Sequence, residues 1–271
     1  MENIELIQNT AVEAAGKRLL SATNLPRAVI VDGDQEVKSL EHLQPGRHRF
    51  RGQMTTNVMA DFCAYVKGVA GDKAVPGFVN VQGMTAKVFF NLGSETAPGH
   101  GDWTATLGLQ PTAAYKALQE AAGRRFDQAG LIDWIEDWND VLVADFTEGN
   151  ASLTRAIAAV RKLKISTKSE ATHTTQDFSA SRSALEEVEA SGADVLPVGF
   201  RLATEPYDGL TSRSFSLKLS VLTGGDKPAL TLRWLRKEQQ LEQIAREFKS
   251  VLVEQLGPSA TLAIGAFELG K

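Results

Sequence analysis

The stretch from Phe215 to Trp234 constrains the fold more than any other. Phe215, Leu217, Leu219 and Val221 alternate with polar residues, and Leu230, Leu232 and Trp234 follow across "TGGDKPA". A period of two places all these apolar side chains on one side of two neighbouring strands. The Gly-Gly-Asp turn joins them as an antiparallel hairpin. A lone two-stranded ribbon is marginal in water, so its apolar face must meet further elements.

Helical patterns supply those elements. In residues 127–146, Leu131, Ile135, Trp138 and Leu142 recur at spacings of four, three and four, which predicts one amphipathic helix. Residues 237–256 place Leu241, Ile244, Phe248, Val251 and Leu252 on one stripe, and residues 3–21, 113–122 and Ser152 to about Leu163 also read as helices. Asn57 is a candidate N-cap for a helix reaching about residue 68. Ser183 and Glu186 have the spacing of a capping box. Strand candidates are Ala28–Val31, Gly77–Val81, Thr85–Leu92, Trp103–Leu109, a segment around Phe200 and Leu202, and Thr261–Phe267. Arg47, Arg49 and Arg51 alternate with His48, Phe50 and Gly52, which suggests a strand with a cationic face. Helices and strands mix without regular βαβ alternation. The expected fold is therefore α+β, antiparallel sheets with packed amphipathic helices. The string "TEGN" at 147–150 marks an expected boundary between an N-terminal domain, 1–148, and a C-terminal one, 149–271, or a junction within one continuous unit.

Composition narrows the class. The chain of 271 residues is long enough to bury a core without staples, and its single cysteine, Cys63, excludes an intramolecular disulfide. The N-terminus carries Glu2 and Glu5 where a secretory signal needs basic charge, and no run approaches the length of a membrane span. A cytoplasmic protein with no membrane partner is expected. The net charge of −4 argues against a generally basic DNA-coating protein, yet a local cationic groove remains compatible with it.

Three constellations could carry chemistry. His100 and Asp102 sit in "GSETAPGHGD", where an imidazole and a carboxylate could share a metal ion or act as a base and its orienter. The spacing lacks the third ligand of known metal signatures, and a Gly/Pro-rich hairpin loop explains it as well. Asp133 and Asp137 on the acidic helix are a second candidate metal pair, against the plain reading of a solvated face. The third is basic: Arg47, Arg49 and Arg51; Arg161, Lys162 and Lys164; Arg233 and Arg236 with Lys237. Together these could track a phosphate backbone, or be ordinary solvated faces. No phosphate-binding glycine loop or nucleophile elbow occurs, and no cofactor is expected. The Ser/Thr-rich segment Ile165–Ser179 is polar on both faces, which suggests an arm that pairs with a second copy.

"SLEHLQPGRHRFRG", "ADFCAYV", "AKVFFNLGSETAPGHGDWTATLGLQPTAAYKAL" and "LIDWIEDW" follow one another in this order. In these strings, between about 39 and 146, the chain resembles the YfdQ-like family of phage and prophage proteins, a domain of unknown function. The resemblance implies a phage-derived soluble protein and carries no established site. The expected function is non-enzymatic: contact with nucleic acid or a host protein in phage DNA metabolism or host takeover. The alternatives are a metal-dependent enzyme centred on His100 and Asp102, and an inhibitor that sequesters a host defence factor or nucleotide signal.

Overall fold

The computed structural model describes residues 6, 7, 10, 11, 14, 28–30, 37–39, 41, 45–163, 195–222 and 229–270. The Ser183 capping box, the Ser/Thr-rich segment, Lys164 and the turn at 223–228 lie outside the described residues. The chain divides into two compact units, Met1–Gly52 and Gln53–Lys271. In the first, β1 (Ala28–Ile30) pairs antiparallel with β2 (Val37–Ser39).

The second unit holds two sheets. In chain order its elements are β3 (Gly52–Thr56), α1 (Met59–Ala70), β4 (Val75–Asn80), β5 (Thr85–Phe89), β6 (Trp103–Gly108), α2 (Ala113–Ala121), β7 (Arg125–Phe126) and α3 (Gln128–Asp137). There follow β8 (Leu142–Phe146), β9 (Gly149–Ala151), α4 (Leu153–Lys162), β10 (Gly199–Thr204), β11 (Arg213–Leu222), β12 (Ala229–Trp234), α5 (Lys237–Leu256) and β13 (Ala260–Ile264). One sheet has the order β7-β12-β11-β10-β8-β9, with every neighbouring pair antiparallel. The other has the order β13-β4-β5-β6-β3, with β13 parallel to β4. The fold is α+β.

The hairpin that opened the sequence reading is the centre of the first sheet. Leu217 faces Trp234, Leu219 faces Leu232 and Val221 faces Leu230. Phe200 and Leu202 continue the same buried face across β10. Burying a side chain of this size contributes roughly 1.5–3 kcal/mol, so one register error would be costly along the whole face. Helices α2, α3 and α4 cover it; α1 and α5 pack on the second sheet's core face, and all these residues join one apolar core. Ser152 caps α4 by accepting from the Arg155 N–H, and Asp127 caps α3 by accepting from the Gly130 N–H.

Three expected secondary-structure features change. The helix predicted over 127–146 ends at Asp137 and gives way to β8. Asn139 Nδ2 donates to the Glu136 carbonyl at 2.7 Å, closing the helix end. Leu142, Ala144 and Phe146 then alternate inward against Leu202 and Phe200. Asn57 is not the cap of α1; Val58 occupies that position with no side-chain cap bond. Residues 47–51 form no strand, and β3 begins only at Gly52. The point between 148 and 149 lies inside the β8–β9 hairpin, where Phe146 pairs with Gly149.

Candidate nucleic-acid interface

The outer face of the antiparallel sheet follows from its register. Since Phe126, Leu230, Leu217 and Phe200 point to the core, Arg125, Thr231, Ser220, Arg233, Lys218, Ser216 and Arg201 point away from it. Arg233 lies directly across from Lys218, and Arg125 lies across from Thr231, one cross-strand row away. Arg125 and Arg233 are exposed, and Lys218 is half-buried. Among the described residues the one carboxylate on the outward strand positions is Asp145, and Arg201 engages it in a forked pair with Nε at 2.9 and 3.0 Å and Nη2 at 2.9 Å. That leaves Lys218, Arg233 and Arg125 with no ion pair among the described residues. Like charges directly opposite on a sheet are unfavourable, so folding alone does not account for the Lys218–Arg233 pair.

At the edge of β12 the surface is concave. A cleft of about 370 Å³ opens there, lined by Ala122, Thr231, Arg233 and Lys237 together with the buried Leu232 and Trp234. Lys237 Nζ sits 5.8 Å from the Trp234 ring centroid. A second cleft of about 230 Å³ is lined by Ser216, Leu235, Arg236, Gln239, Gln240 and Gln243. Arg236 holds a left-handed backbone, φ 52 and ψ 35, at the entry to α5.

The other basic residues fall elsewhere. Arg161 stands 4.0 Å from Glu136 in an exposed ion pair, which is worth less than about 1 kcal/mol. Lys162 ends α4 with it. Arg47, Arg49 and Arg51 belong to the first unit, where Arg51 pairs with Glu41 and Arg47 Nη1 donates to the Arg51 carbonyl at 3.5 Å.

The Gly/Pro loop between β5 and β6 is organised by Asn91, a residue the sequence reading did not single out. Its Nδ2 donates to Asp102 Oδ1 at 2.8 Å, its Oδ1 accepts from the Trp103 N–H at 3.0 Å, and its carbonyl accepts from the Gly101 N–H at 3.1 Å. Asp102 thus clamps the base of the loop, and His100 is exposed beyond it. The glycines are steric. A Cβ on Gly99 would lie 2.0 Å from the Asn91 carbonyl oxygen, and one on Gly101, whose φ is +60, would lie 2.6 Å from the Leu269 side chain. Asp133 and Asp137 face solvent from α3. Among the described residues no three His, Cys, Asp or Glu groups converge as a metal site would require.

Two buried polar groups stand apart. The Tyr115 hydroxyl and the Trp134 indole N–H find no hydrogen-bond partner among the described residues. Burial first, and the neighbouring Tyr207 second, push the Tyr115 phenol up to about 12; Gln119 and Arg213 offset this only in part. Tyr115 packs against Tyr207, Phe215 and Trp234 with ring centroids 5.3–6.0 Å apart. Burial also raises the Cys63 thiol, which makes it a poor nucleophile.

The model of a family described as "Uncharacterized conserved protein (DUF2303)" matches residues 1–267. The chain belongs to that family. The match runs through both sheets and all the helices named above, so the cationic sheet face lies within the family's domain rather than on an appendage. No curated protein and no solved structure matches the chain. Among the described residues no helix is long and apolar enough to cross a membrane.

Proposed function

We propose that this DUF2303 protein is a non-enzymatic nucleic-acid-binding protein that contacts the phosphate backbone through the outer face of its antiparallel sheet. The observation that carries the reading is the cross-strand Lys218–Arg233 pair, with Arg125 beside it and, among the described residues, no ion pair to any of the three. Phosphate is the anion such a flat array fits. Adjacent cations on neighbouring strands track a chain of charges better than they enclose one small ion, and each contact releases a condensed counterion. The surrounding Ser216, Ser220 and Thr231 hydroxyls add hydrogen-bonding groups suited to phosphate oxygens. The likeness of residues 39–146 to YfdQ-like phage and prophage proteins supports a place in phage DNA metabolism.

The test is fluorescence anisotropy of a labelled oligonucleotide as salt is raised. The double variant K218A/R233A is expected to bind more weakly to every sequence alike and to lower the slope of log affinity against log salt by about two. Absence of binding by the wild-type chain at low salt, or a variant indistinguishable from it, rules the reading out.

A further inference from the structure

We infer that the cleft at the edge of β12 receives one unpaired nucleotide, so that the protein prefers single-stranded nucleic acid to duplex. This rests on the phosphate-binding reading above and adds to it the kind of strand the face accepts.

Among the described residues the outward positions of the sheet carry no aromatic side chain. Stacking platforms are what single-strand binders ordinarily lay along such a face, so here the face alone gives no preference for unpaired bases. The cleft supplies what the face lacks. Its volume of about 370 Å³ lies at the lower end of the range for small-molecule sites, roughly 300–1,000 Å³. Its lining combines the half-buried Ala122 and the small exposed part of Trp234 with Arg233, Lys237 and Thr231. A ring that packs on these apolar groups, joined through a sugar to a phosphate, matches such a lining. Arg233 belongs to the face and to the cleft together, so a strand running over the sheet can turn one residue in without leaving its cations.

Backbone groups at the cleft can read a base edge. The Leu235 N–H bonds to Ser216 of β11, while the Leu232 carbonyl points the other way and accepts from the Gly123 N–H. By strand alternation, the N–H and C=O of Trp234 also point away from β11, toward the open edge. A base held in a duplex is stacked and paired, and cannot reach this edge without being extruded.

The experiment compares single-stranded DNA, single-stranded RNA and duplex DNA of one sequence by anisotropy. The wild-type chain is expected to bind the single strand at least about tenfold tighter than duplex, a difference of about 1.4 kcal/mol. A122F, which fills the cleft, is expected to bring the single-strand to duplex ratio close to one. If circular dichroism shows that A122F misfolds, K237E serves in its place and should lower the ratio by removing a rim cation. Similar affinity of the DNA and RNA single strands is expected, since base and phosphate are common to both. Equal affinity of the wild type for single strand and duplex, or an unchanged ratio in the variants, overturns the cleft proposal while leaving the sheet face standing. Loss of both proposals together has a different signature: no binding of any probe at low salt.

Discussion

Asn91 and His100 sit nine positions apart in the same loop and have opposite weights. Asn91 makes two side-chain hydrogen bonds at the base of the hairpin, both part-buried, whereas His100 is exposed. Asn91→Ala leaves Asp102 and the Trp103 N–H without these partners and should cost about 1–3 kcal/mol in denaturant unfolding. His100→Ala should stay within about 0.5 kcal/mol. A reversed order of the two would mean that the loop is held by something other than the Asn91 clamp. Tyr115 makes a further prediction with a definite sign. Its phenol titrates near 12 when folded and near the usual 10 when unfolded. The unfolded chain therefore loses its proton first. Stability is intact below about pH 10 and falls as pH rises toward 12. Tyr115→Phe should weaken that alkaline loss, because the variant has no phenol to titrate between these values. An unaltered alkaline limb in the variant would assign the loss to other groups.

Elements show where sequence patterns decide and where they do not. The stripe of α5 and the alternation of β11 and β12 were legible because each holds one period throughout. Residues 127–146 hold two. The four-three-four spacing continues through Trp138 to Leu142, while Leu142, Ala144 and Phe146 also fit a strand. Pairing with β10 decides between them, and that contact is invisible locally. The sheet face was half legible for the same reason. Arg233 stood out beside Arg236 and Lys237, but Lys218 and Arg125 join it only through register, and β7 is two residues long. The face also carries a stability prediction. Lys218→Thr removes a like-charge cross-strand pair and should raise stability by roughly 0.2–1 kcal/mol at low salt. The gain should shrink as salt screens the repulsion. A loss of stability on this substitution would show that Lys218 has a favourable folding role.

Across the whole molecule, the α+β class followed from mixed helix and strand periods, and the family match extends over both halves of the expected division at 148. Compactness divides the chain into Met1–Gly52 and Gln53–Lys271. "TEGN" forms the turn of the β8–β9 hairpin; short polar residues with Gly mark hairpin turns and linkers alike. Strand β10, far along the chain, pairs with β8 and keeps residues on both sides of that turn in one sheet. The metal-site candidates shared a related weakness: His100 and Asp102 are close in sequence, yet Asp102 turns to Asn91, and Asp133 and Asp137 lie on a solvent-facing side of α3. A charged array on a register-locked sheet remains as the feature that folding does not explain. The measurement that tests it most directly is the salt dependence of oligonucleotide binding by the wild type and K218A/R233A. A linear fall of log affinity with log salt, shallower by about two in the variant, is the predicted result. Superimposable titrations of the two proteins would contradict it.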